Sequence, residues 1–146
     1  MWILDTDLIT LLEYAGNPAA NRLRDRLRAL RPGEYAVTII SYEEQSRGWL
    51  EFIKKKKTVL DQVVAYRKLR KQLEHFCSLN ILDFDEKAAV EFQGLRKAKV
   101  RIKTMDLKIA SVALSRNATV LTRNISDFMK VPDLRFEDWT REQRHL

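Results

Sequence analysis

With 146 residues, 45% of them hydrophobic and 32% charged, and with only four glycines and three prolines, the chain has the make-up of one helix-rich globular domain, expected to span residues 1–146, and not that of a disordered or low-complexity polypeptide. The 27 basic and 20 acidic residues leave a net charge of +7, which favours a polyanion such as nucleic acid, or an acidic protein, as partner. The single Cys77 excludes an internal disulfide and, with two distant histidines (His75 and His145), gives no zinc pattern; a reducing, cytoplasmic setting is expected.

No apolar run approaches the roughly 18 residues that would span a bilayer. Asp5 and Asp7 interrupt the first apolar stretch, which lacks a basic flank and so does not read as a secretion signal. Residues 2–4 (Trp-Ile-Leu) predict a short buried strand ending at Asp5. A helix is expected over residues 7–15, closed near Gly16-Asn17-Pro18, and an amphipathic helix over 19–31 carrying Leu23, Leu27 and Leu30.

Residues 35–40 are rich in β-branched side chains and predict a second strand, after which Ser41 opens a helix to about Ile53. The lysines at 54–57 read as a solvated junction before a long helix over 58–77, whose inward face is expected to hold Leu60, Val63, Val64, Leu69, Leu73 and Phe76, with Cys77 in the core. A third strand is expected over 79–84. Asp85 then caps a helix bearing Ala88, Ala89, Phe92 and Leu95, and Thr104 or Asp106 starts another to about Asn117. A fourth strand at 119–121, a helical turn at 126–129 and an edge strand at 134–136 complete the pattern.

Alternating short strands and helices argue for an α/β/α sandwich, a parallel sheet flanked by helices on both faces, in which ligands bind beyond the carboxyl ends of the strands. Four acids fall at such ends: Asp5, Glu44, Asp106 and Asp127. Crowded carboxylates repel one another, and a hard divalent cation such as Mg²⁺ or Mn²⁺ relieves that repulsion. Each acid also has an ordinary reading as part of a helix start. Asp5 can cap the first helix in competition with Thr6 or Asp7, Ser41 and Glu44 have capping-box spacing, Asp106 can favour a helix dipole, and Asp127 follows Asn124 by three.

The local motifs favour the shared site. Ile3-Leu4-Asp5-Thr6-Asp7 resembles the opening motif of PIN-domain toxins of the VapC type, with Asp7 where Asn is commoner. The segment 38–45, Thr-Ile-Ile-Ser-Tyr-Glu-Glu-Gln, resembles their strand-to-helix motif and puts Glu44 on the family acid, with Glu43 as a neighbour that could displace it. The segment 104–110 is similar to the third motif, and 121–128, with Thr122, Asn124 and Asp127, to the fourth. This resemblance implies a PIN-like fold and a Mg²⁺- or Mn²⁺-dependent endoribonuclease that hydrolyses RNA with metal-activated water. It also implies the toxin of a toxin–antitoxin pair, neutralised by an antitoxin protein and often a homodimer. It makes Asp5, Glu44, Asp106 and Asp127 the metal-binding and catalytic residues, with Thr6, Asp7, Thr122 and Asn124 beside the metal or substrate. The rival readings are a non-catalytic RNA- or protein-binding module and a DNA-directed nuclease. The arginines at 22, 24, 26, 28 and 31 could face phosphates or solvent, and Tyr42 and Trp49 could stack on bases or pack on helices.

Overall fold

The computed structural model describes residues 1–143. In chain order its elements are β1 (Trp2–Leu4), α1 (Thr6–Leu11), α2 (Pro18–Arg28), β2 (Tyr35–Thr38), α3 (Ile39–Lys54) and α4 (Val59–Cys77). These are followed by β3 (Ile81–Leu82), α5 (Glu86–Lys97), α6 (Thr104–Ser115), β4 (Thr119–Leu121), α7 (Ile125–Phe128) and β5 (Arg135–Glu137). The strands form one sheet in the order β3-β2-β1-β4-β5. Every pairing is parallel, with Trp2 opposite both Tyr35 and Thr119.

The apolar runs of the strands follow from burial on both faces. Successive side chains of a strand point to opposite sides. Ile3, Ala36 and Val120 enter a core shared with Leu95 of α5 and Leu107, Ile109 and Val112 of α6. Their neighbours Leu4, Val37 and Leu121 enter a second core with Leu8, Leu23, Leu27, Phe76 and Trp139. A sheet covered on both faces needs no polar alternation.

The strand order sets the position of the site. From β1 the chain moves outward through β2 to β3, then returns to the other side of β1 as β4 and β5. The direction therefore reverses between β1 and β4, and the crevice beyond the carboxyl ends of these two strands is where such sheets take ligands. Helix α6 delivers the chain sharply to β4: Asn117 adopts φ 53° and the Ala118 amide bonds back to the Ala113 carbonyl at 2.9 Å, a Schellman turn that satisfies the orphan carbonyls of the helix end.

The expected elements are present with shifted bounds. The first helix stops at Leu11 rather than continuing to residue 15, and the third strand shrinks to Ile81–Leu82. The second strand ends two residues early because Thr38 is the cap of α3, its hydroxyl accepting from the Ser41 amide at 3.4 Å. The inward face of α4 is also narrower than the periodicity suggests. Phe76 is fully buried, but Leu60 is 81% exposed and Val63, Val64 and Leu73 are also exposed. Cys77, expected in the core, is exposed, since it follows the inward Phe76 by one helical step.

Phe76→Ala should therefore cost about 3–5 kcal/mol in a urea melt, while Leu60→Ala should change stability by less than about 0.5 kcal/mol. A comparable loss from both would show that α4 packs with a different face.

Candidate active site

Asp5 lies at the carboxyl end of the central strand and is only 3% exposed. It is the cap of α1: one oxygen accepts from the Leu8 amide at 3.0 Å. The other accepts from the Thr122 hydroxyl, just beyond β4. Thr122 in turn accepts from the Asn124 amide at 2.9 Å. Capping and site membership are thus not alternatives for Asp5. The cap bond fixes a carboxylate that the fold has placed at the switch point.

Glu44 arrives from the first turns of α3. Its carboxylate accepts from the Thr6 hydroxyl at 2.6 Å, and Thr6 also meets the buried Ser41 hydroxyl at 2.9 Å. Ser41 is therefore inside the helix and bonded to α1, and the capping box expected between Ser41 and Glu44 is replaced by the Thr38 cap. Glu43 turns to Arg47, with which it pairs at 2.6 Å along the helix surface. Gln45 donates to the Thr10 hydroxyl at 3.0 Å, a polar link between α3 and α1.

Asp106 stands in the first turn of α6, half-buried, with Lys103 as an N-cap that makes no side-chain capping bond. Asp127 lies in α7 and accepts from the Asn124 amide nitrogen Nδ2 at 2.8 Å, with Lys130 at 3.6 Å. Asn124 thus orients Asp127 and does not cap α7 through its side chain.

Charge couples Asp106 to Asp5, Glu44 and Asp127. Burial, the largest cause, lifts the Asp5 carboxyl from 3.8 to about 7, against the downward pull of the Thr122 and Leu8 hydrogen bonds; the nearby charges of Asp7 and Asp106 push it further up. Asp106 is raised from 3.8 to about 6, first by burial, then by Glu44, with Lys103 lowering it and Asp127 raising it. Like charges brought together disfavour ionisation of each.

Asp7 does not join the four. It is bound through both oxygens by Arg123, whose Nε and Nη2 donate at 2.9 and 3.0 Å. Sequence reasoning passed over Arg123 because its partner Asp7 lies 116 positions away. The arginines of α2 are partly committed elsewhere. Arg22 donates to the Thr140 carbonyl, Arg24 to the Leu12 carbonyl, and Arg26 lies 4.3 Å from the ring centre of Trp139. Tyr42 packs edge-on against Phe76, and Trp49 against Phe52.

The donors available to a cation are all hard carboxylate oxygens, with hydroxyls of Thr6 and Thr122 behind them. Among the described residues no three acidic, histidine or cysteine side chains close into a ready-made ion cage. The fit to a Mg²⁺-like ion rests on the donor chemistry and on the mutual repulsion. Such ions keep several waters and take only one or two carboxylates directly.

The model of the PIN domain family matches residues 3–134, and the chain belongs to that family. It is 37% identical over 75 residues to the ribonuclease VapC2 of Rickettsia felis, covering 48% of this chain and 56% of that protein. It is 38% identical over 72 residues to the tRNA(fMet)-specific endonuclease VapC of Salmonella typhimurium, covering 46% of this chain and 54% of the relative. The matched stretch thus spans about half the length of each relative. In structure it resembles a chain of the DNA-bound VapBC complex from Salmonella typhimurium, with TM-score 0.70 and 25% identity, over 94% of this chain and 97% of that one. All five strands are parallel, as the expected PIN-like α/β fold requires.

The electrostatics dictate a pH response. Folded-state values raised to about 7 and about 6 mean that the folded chain holds these protons more tightly than the unfolded one. Their stabilisation is complete below pH ~4 and is lost as pH rises through the folded values. The melting temperature in EDTA should therefore fall between pH 5 and pH 8, and Asp106→Asn should flatten that fall. A rise over this range in EDTA would contradict the assigned field.

Proposed function

We propose that the protein is a divalent-metal-dependent endoribonuclease and the toxin of a toxin–antitoxin pair. What supports this reading is the electrostatic coupling of Asp106 to Asp5, Glu44 and Asp127 near the β1–β4 switch point, with Asp5 and Asp106 pushed upward by burial and by neighbouring carboxylates. These four residues would hold Mg²⁺ or Mn²⁺. When bound, the cation supplies Lewis acidity and lowers the pKa of water.

The chain's own groups prepare that chemistry. The Leu8 amide and Thr122 hydroxyl hold Asp5 in one orientation, the Thr6 hydroxyl holds Glu44, and the Asn124 amide holds Asp127. Carboxylates positioned before the substrate arrives need no reorganisation during the reaction, which is where fixed polar groups gain their catalytic value. Water adds across a P–O bond of the RNA backbone and the chain is cut into two. The basic overall charge favours approach of the polyanion.

Purified protein should cut RNA in Mg²⁺ or Mn²⁺ and stop in EDTA, and Asp106→Asn should abolish cleavage, by about a hundredfold or more, while retaining the parent's circular dichroism spectrum. Undiminished cleavage by Asp106→Asn would sink the metal-site reading. Cutting of DNA alone would make the protein a DNA-directed nuclease, and RNA binding without any cutting would make it a binding module.

The partner reading draws on the exposed apolar side chains of α3 and α4. Leu50, Val59, Leu60, Val64 and Tyr66 are each more than half exposed. Apolar surface of this kind is commonly covered by a protein, and the antitoxin is the cover we propose. Changing Leu60 and Val64 to Asp should leave RNA cleavage intact and release it from inhibition by the antitoxin. Retained inhibition would move the antitoxin to another surface, and a parent dimer split by the change would assign this face to a second copy of the chain. No described helix is long and apolar enough to cross a membrane, and we take the cytoplasm as the working compartment.

A further inference from the structure

Arg123 sits between the two residues that orient the site's carboxylates, Thr122 on Asp5 and Asn124 on Asp127. Its guanidinium is gripped from one edge, Nε and Nη2 donating to the two oxygens of Asp7 at 2.9 and 3.0 Å. A guanidinium has five N–H donors in a fixed plane. The grip uses two, and the other three meet no acceptor among the described residues. The side chain is 39% exposed.

An ion pair this exposed contributes little to stability. Its more distinctive effect is to fix the direction of a charged, planar fork. The pair also links α1, which Asp5 caps, to the loop between β4 and α7, the helix that holds Asp127. The charges of Asp5 and Asp138 act on Arg123 as well, which puts it at the edge of the acidic cluster.

That edge has an electrostatic problem. RNA entering a cluster of Asp5, Glu44, Asp106 and Asp127 meets like charge. A cation bound by the carboxylates offsets this at the cleaved linkage, while the flanking phosphates need cations from the protein. Three are candidates: Lys103, whose charge acts on Asp106, Lys130 at 3.6 Å from Asp127, and Arg123, which pairs with Asp7 and interacts with the charge of Asp5. The lysines are flexible point charges. Arg123 is the planar donor that suits a phosphate, and it is already aimed.

We infer, resting on the ribonuclease reading above, that Arg123 is a substrate-binding residue: its outward N–H groups take a non-bridging oxygen of the RNA phosphate next to the cleaved linkage, and Asp7 is the positioning residue that aims them.

The test reads binding without cleavage. In the Asp106→Asn background, a 5′-fluorescein single-stranded oligoribonucleotide is titrated by anisotropy over a range of salt. Adding Arg123→Ala should weaken binding about tenfold, the size of one charge-assisted contact, and reduce the slope of log K against log salt by about 0.7. Arg28→Ala removes the same charge from an exposed position of α2 paired only with Asp25, and should change affinity by less than about twofold. Equal affinities for the Arg123→Ala and Arg28→Ala proteins overturn the inference. If Arg123→Ala does not fold, Arg123→Lys decides: a several-fold loss of affinity with the salt slope kept supports the inference, and unchanged affinity overturns it. Failure of the ribonuclease reading is seen separately, as a parent protein that leaves RNA intact in Mg²⁺ and Mn²⁺.

Discussion

The structure of the site depends on one buried carboxylate. Asp5 is almost fully shielded from water at the end of the central strand, and is held there by an amide of the helix that follows and a hydroxyl from the neighbouring strand's loop. An ionised group in such a place is costly unless hydrogen bonds or an opposite charge offset it. The two bonds offset part of the cost, and the raised carboxyl value shows that they do not offset it all. The remainder is free energy that a divalent cation can recover. In the proposed metal centre, burial of Asp5, usually a matter of stability, would thereby become a source of metal affinity.

The other features of the site extend this constraint outward. Thr122 links Asp5 to Asn124, and Asn124 reaches Asp127, so one loop after β4 orients two acids. Thr6, the first residue of α1, reaches across to Glu44 and Ser41 and ties the first helix to the third. Asp106 comes from the start of α6 and is coupled to the rest through charge. Each acid therefore comes from a different segment of a parallel sheet and its helices, and the reversal of strand order between β1 and β4 forms the crevice at which we propose that they act together.

Much of this was legible in the sequence, for reasons that differ by residue. Doubly covered strands leave short runs of apolar and β-branched residues, which is why Trp2–Leu4 and Thr119–Leu121 are legible as strands. Asp85 announced its helix because capping chemistry is local, and its side chain does accept from the Ala88 amide at 3.0 Å. Local chemistry also misled. Ser41 looked like a cap because nothing in the sequence reveals that Thr6 lies opposite it, or that Thr38 has taken the role. The leucine and valines of α4 have the periodicity of a core face, but burial depends on what packs against the helix, and periodicity does not report that. The partnership of Asp7 with Arg123 joins residues 116 positions apart and has no sequence signature. For the same reason Glu43 and Glu44 could be told apart only by their partners, Arg47 for one and Thr6 for the other.

The central claim is that the four acids form a single metal centre. Anomalous diffraction from crystals soaked in Mn²⁺ tests it most directly. The account predicts a strong peak at the carboxyl ends of β1 and β4, within coordination distance of Asp5 and at least one of Glu44, Asp106 and Asp127. A peak elsewhere on the molecule with that crevice empty at saturating Mn²⁺ would contradict it.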